Sequence, residues 1–247
     1  MHSSELYETN LVRRGMELSN DFLRTAFGPD KRGHIVQRRK LEPHEEYIRS
    51  VLVSAGEVVG ICEQLEQAAA FLMNYRATPA AKKEGVTRYR HIIYHLEGYL
   101  VRTTTVFDRS LILANDVLRL GNPPRNCRRN VILNNSYVKG TVVAESLTLM
   151  EKAIDRFKPT RNLVSHRAGY SDAELHRLGI FYFVVQAKSA VVPKYIVNVA
   201  TNRYVQSKVR ELRAFCGQLN RVVALLMRAL APHLDSQYKA MTGSKVK

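Results

Sequence analysis

One short stretch carries residue types that could move protons and hold a phosphate: Lys158-Pro159-Thr160-Arg161-Asn162-Leu163-Val164-Ser165-His166-Arg167. An imidazole titrates near neutral pH, so His166 suits general acid–base work. The guanidinium of Arg161 offers a planar fork of donors to an oxyanion as charge develops. Asn162 can orient either the phosphate or the imidazole, and Arg167 can hold a flanking phosphate. A helix beginning just after Pro159 would aim backbone N–H groups at the same anion. RNA supplies its own nucleophile in the 2′-hydroxyl, so this set could cleave it without a metal-bound water. If residues 161–166 are helical, Arg161 and His166 stand about 140° apart and roughly 7.5 Å along the axis. They do not share a face, and a second copy across a two-fold axis would make a denser cationic pocket.

The spacing Arg-x4-His also occurs at Arg39–His44, Arg90–His95 and Arg228–His233. Only Arg161 is followed by Asn, and only this copy lies between two helical stripes after a proline break. Other motifs lead nowhere. His91 and His95 could face one metal from a helix, but Ile92, Ile93 and Tyr94 lie between them and no third ligand is near in sequence. A histidine pair used for packing is the expectation, with no metal site and no cofactor. The sequence has no phosphate-binding P-loop, GxSxG elbow or GxGxxG turn. The three cysteines Cys62, Cys127 and Cys216 are widely spaced and odd in number, which fits reduced thiols.

Charge points to the partner. Thirty-eight Lys and Arg against 22 Asp and Glu give +16 over 247 residues. Such a field concentrates polyanions, RNA first among them, with an acidic protein or an anionic surface as the alternative. Arg38, Arg39 and Lys40, in the basic segment that follows Gly28-Pro29 and Gly33, are candidate RNA contacts beside Arg167. No signal-peptide core opens the chain and no apolar run approaches a membrane span, Leu178–Val192 coming nearest; a cytoplasmic protein is expected.

The elements that must position these residues are helices. Apolar stripes with steps of three and four run from Ile48 to Leu72, Tyr89 to Leu118, Val142 to Phe157 and Val205 to Leu230. The last resembles a heptad seam. Pro79, Gly121-Asn122-Pro123-Pro124 and Pro159 punctuate them. Ser171-Asp172-Ala173-Glu174 reads as a capping box opening another helix. Hairpin signals are few. The expectation is an all-α, up-and-down bundle of long helices over 44–232, with an N-terminal helix and basic arm over 1–43 and a polar tail over 233–247.

With that architecture, the Arg161-Asn162-x3-His166 segment resembles the HEPN superfamily, marked by Arg, often a polar residue after it, and a His four to six residues on. The resemblance implies a helical bundle, commonly a homodimer, and for many members a ribonuclease of toxin–antitoxin, abortive-infection or CRISPR systems. It therefore implies a metal-independent endoribonuclease with Arg161, Asn162 and His166 as catalytic residues and an antitoxin or defence-complex partner. The alternative is a non-catalytic helical module that binds RNA or a nucleotide. One departure stands out. Toxins paired with a nucleotidyltransferase tend to carry a Tyr two residues after the His, where this chain has Ala168; its Tyr is Tyr170.

Overall fold

The computed structural model describes residues 1–166, 169–170, 172–187 and 193–243, without the side chains of Lys82, Leu163, Ser165 and His166. It is all-α apart from one small hairpin. A 3-10 turn at Ser3–Glu8 leads into α1 (Asn10–Ala26), strands β1 (Phe27–Pro29) and β2 (Ile35–Gln37), and then α2 (Pro43–Met73) and α3 (Pro79–Lys83). Next come α4 (Arg88–Val117), α5 (Arg129–Leu133) and α6 (Val142–Asp155), then α7 (Lys158–His166), α8 (Ala173–Gln186) and α9 (Lys194–Thr242). The four apolar stripes become α2, α4, α6 and the middle of α9.

Two compact units share the chain. The first comprises Met1–Cys62, Thr105–Ala153 and Leu219–Lys247, and the second Glu63–Thr104 and Ile154–Gln218. Helices α2, α4 and α9 each contribute a segment to both. In the first unit Leu11, Ile48, Val58, Leu111, Leu147, Val223 and Leu230 are fully or almost fully buried. Each such side chain stabilises the fold by roughly 1.5–3 kcal/mol relative to exposure. Two buried hydroxyls there find acceptors. The Tyr47 hydroxyl donates to the Val117 carbonyl at 2.8 Å, and Ser54 donates to Asp116. The reversal after α4 uses Gly121 at φ +76°, a conformation open to glycine. The Asn115 side chain closes that loop by bonding the Asn122 N–H and C=O, both at 3.1 Å.

The hairpin was not expected from the sequence. Its turn rests on Asp30, whose carboxylate accepts the N–H groups of Arg32 at 2.8 Å and His34 at 2.9 Å, with Gly33 at φ +82°. Two three-residue strands, one containing a proline, leave too little alternation to read. The basic segment leaving it is tied down. Arg38 donates its backbone N–H to Ala26 O, and Arg39 grips Glu45 at the start of α2 with two bonds of 2.6 and 2.8 Å. That guanidinium is the main reason the Glu45 carboxyl is held down to about 2.

In the second unit Leu65, Leu72, Ile92, Leu96, Leu175, Leu178, Val197 and Leu212 are buried, as are Tyr99 and Tyr204. The Tyr99 hydroxyl donates to Leu212 O at 3.2 Å and lies 3.4 Å from Cys216 Sγ. All of Val205, Val209, Leu212, Cys216, Leu219, Val223, Leu226 and Leu230 are buried within the chain. The α9 stripe is thus core and is not left over as an inter-subunit seam. By length and composition α9 could cross a membrane, but 56% of its apolar window is buried. The helix also runs through Pro232 to Thr242.

Candidate active site

Helix α6 ends at Asp155, and after the two-residue turn Arg156-Phe157 the chain enters α7. Pro159 suits this first turn, where its missing N–H has no intrahelical partner to lose. Lys158 pairs with Asp155 at 2.6 Å, and the Arg161 N–H reaches Phe157 O at 2.8 Å. Arg161, Asn162 and His166 therefore belong to one nine-residue helix, with His166 its last residue. Arg161 and Asn162 touch: the guanidinium donates from Nη1 to Asn162 Oδ1 at 3.0 Å. Asn162 thus orients the arginine fork. Arg161 is half-buried, and its Nε is shielded from solvent with no hydrogen-bond partner among the described residues.

Arg167 lies outside the described residues. Arg38, Arg39 and Lys40 follow β2 in the other unit; Arg39 is engaged by Glu45, Arg38 donates to Pro29 O at 3.3 Å, and Lys40 is exposed. Sequence reasoning overlooked Arg156 and Lys208, which share a cleft with Thr160 of α7. Arg156 lies over the Phe157 and Phe215 rings, 4.7 and 4.8 Å from their centroids, and forms no ion pair among the described residues. With Tyr99, Thr160, Tyr170, Lys208 and others it lines a cleft of about 260 Å³.

Asp172 holds two of the residues that line that cleft, Tyr170 and Lys208. Its Oδ1 accepts from Glu174 N at 3.1 Å and Leu175 N at 2.8 Å, capping α8. Asp172, not Ser171, is therefore the cap; Ser171 lies outside the described residues. Its Oδ2 accepts from Tyr170 at 3.0 Å and Tyr204 at 2.9 Å, and Lys208 Nζ stands 3.3 Å away. Burial works against the Asp172 charge, but the Leu175 N–H, the Tyr204 hydroxyl and Lys208 outweigh it and lower its pKa. Burial likewise opposes the Lys208 ammonium, yet Tyr170, Glu211 and Asp172 together raise its pKa. The Tyr170 hydroxyl is raised chiefly by burial. The Tyr170 N–H donates to Glu97 at 2.8 Å, so the chain just beyond the motif is anchored on α4.

Residues 47–181, more than half of the chain, match the HEPN_Cthe2314-like HEPN family. The chain belongs to this HEPN family. Comparisons with curated proteins and with solved structures gave no match. The HEPN match runs from the first turn of α2 into α8 and so spans α7 with Arg161, Asn162 and His166. Outside the motif, His91 and His95 pack edge to face at 4.4 Å, and His91 Nε2 lies 2.8 Å from Phe71 O. Burial lowers the His95 pKa, as expected of an aromatic packing cluster. Among the described residues no group of three or more His, Cys, Asp or Glu side chains could hold a metal ion.

Proposed function

We infer that this HEPN protein is a metal-independent endoribonuclease, with Arg161, Asn162 and His166 as its reacting group. The observation that carries the reading is α7 itself: one helix inside the HEPN match bears all three residues, and Asn162 holds the Arg161 fork. His166 shuttles protons between the 2′-hydroxyl and the leaving 5′-oxygen. Arg161 neutralises the charge that builds on the phosphate, and Arg156 and Arg167 hold the flanking backbone. The net charge of +16 concentrates RNA at the surface.

The test is incubation of the purified chain with single-stranded RNA in EDTA. Cleavage that persists, with a fully 2′-deoxy substrate untouched, supports the reading. Loss of cleavage in EDTA with rescue by Mg²⁺ or Mn²⁺ overturns it, and RNA bound without cleavage favours a binding module instead. Arg38, Arg39 and Lys40 serve as outlying contacts in this account. Their joint replacement by alanine flattens the slope of log affinity against log salt, and an unchanged slope removes them from the interface.

The active form is a homodimer acting in the cytoplasm, with a toxin–antitoxin or defence-complex protein as its further partner. Support for the dimer lies on α8 and the start of α9, where Ile180, Phe183, Tyr195 and Val199 are 52–72% exposed. At 100° per residue Ile180 projects about 140° from the buried Leu175 and about 160° from Leu178. Light scattering under assay conditions then gives twice the mass of one chain, and one-chain mass with full activity rules the dimer out.

A further inference from the structure

Helix α7 carries the reacting group of the ribonuclease reading, yet it has little packing to hold it. It is nine residues long, a length at which an isolated helix is marginal in water. None of residues 158–162 and 164 is buried. The first half of the helix is fixed all the same: Lys158 pairs with Asp155, and the Arg161 N–H reaches Phe157 O. His166 stands at the opposite end, as the last residue, where a helix frays most readily. A proton-transfer group placed there needs its backbone held by something other than α7.

The chain just beyond it supplies the hold. Tyr170 follows His166 by four residues, a span of at most about 14 Å. Its N–H donates to Glu97 Oε1 at 2.8 Å, and its hydroxyl donates to Asp172, which also accepts from Tyr204 of α9. Tyr170 is therefore gripped at both ends, by α4 through its backbone and towards α9 through its ring. Glu97 stands on α4 between the buried Leu96 and Tyr99, so its carboxylate is carried by a firmly packed helix. Gly169 belongs to the same contact. A Cβ at that position would lie 2.9 Å from Glu97 Oε1, inside van der Waals contact, so a side chain there pushes the carboxylate off the Tyr170 N–H. We propose that Glu97 is a positioning residue for His166, holding the end of α7 in register through the Tyr170 N–H, with Gly169 leaving room for its carboxylate. The role rests on the reading of α7 as the catalytic helix.

The test compares the full chain with Glu97→Ala, Glu97→Gln and Gly169→Ala in two measurements. One is kcat and KM on a labelled oligoribonucleotide, and the other is hydrogen exchange at the backbone amides of Tyr170 and the last turn of α7. Glu97→Ala lowers kcat by roughly 10–100-fold, the scale of a misplaced reacting group. KM stays within about twofold, because Arg161 and the flanking cations remain in place. Glutamine keeps an oxygen for the Tyr170 N–H, so Glu97→Gln retains kcat within about threefold of wild type. Gly169→Ala repeats the kcat loss with Glu97 intact. In both alanine variants those amides exchange roughly tenfold faster or more, while amides of the first unit do not change. Exchange unmoved in Glu97→Ala, faster exchange with wild-type kcat, or equal losses in the glutamine and alanine variants overturns the proposal. If the wild-type chain cleaves no RNA, the ribonuclease reading falls instead, and the exchange rates alone decide whether Glu97 holds the end of α7.

Discussion

His166→Ala lowers the rate of RNA cleavage by roughly 10²–10⁴-fold, the usual worth of a positioned proton-transfer group. The backbone of residue 166 is the last of α7, and alanine is the best helix former, so the helix keeps its end. Arg161→Ala falls by roughly 10²–10³-fold, because one donor set on the developing oxyanion is gone. Arg161→Lys separates charge from geometry. Lysine keeps the positive charge but cannot present a fork to Asn162 Oδ1 and to the phosphate together. It therefore recovers little of the loss. Single-turnover rates on a labelled oligoribonucleotide, with circular dichroism as the control for folding, measure all three. Full activity in His166→Ala removes the imidazole from the mechanism.

Asp172→Ala destabilises the fold by about 3 kcal/mol, summing one lost helix cap and two orphaned hydroxyls. The carboxylate caps α8 through two backbone N–H groups and accepts from Tyr170 and Tyr204. Both tyrosines are more than half removed from water, as their raised pKa values reflect, so neither hydroxyl finds a full replacement in solvent. Lys208 also loses one of its two carboxylate partners, Glu211 remaining at 3.2 Å. Asp172→Asn keeps a cap oxygen and costs about 1 kcal/mol. Tyr204→Phe costs a similar amount, about 1 kcal/mol, for one hydrogen bond. Urea unfolding of the three variants measures the series. A loss below about 1 kcal/mol for Asp172→Ala contradicts the network's role in holding the chain beyond the motif.

What could be read ahead of the structure was what repeats locally. The stripes from Ile48, Tyr89, Val142 and Val205 became helices because a 3.6-residue apolar period leaves the chain one way to bury itself. The motif was legible because Arg161, Asn162 and His166 lie within a single helix. The groups around it were not. Lys208 is 36 residues beyond Asp172, and nothing in either neighbourhood announces their ion pair. Arg156 looks like one more surface cation until Phe215, far along α9, is seen beneath it. Two readings failed for local reasons. The cap shifted by one residue because Asp172 accepts the α8 N–H groups itself. The Val205–Leu230 stripe resembled a heptad seam because periodicity shows an apolar face without showing what covers it, and the rest of the chain covers this one.

The end chemistry of the cleaved RNA tests the central claim most directly. Attack by the 2′-hydroxyl, with His166 moving the protons, leaves a 2′,3′-cyclic phosphate on one fragment and a free 5′-hydroxyl on the other. Mass spectrometry of an oligoribonucleotide cut by the purified chain in EDTA reads both ends at once. The account predicts the cyclic phosphate or its hydrolysed monophosphate, and no cut at a position bearing a single 2′-deoxy substitution. Fragments ending in a 3′-hydroxyl with a 5′-phosphate on the partner would mean that water is the nucleophile, and would contradict it.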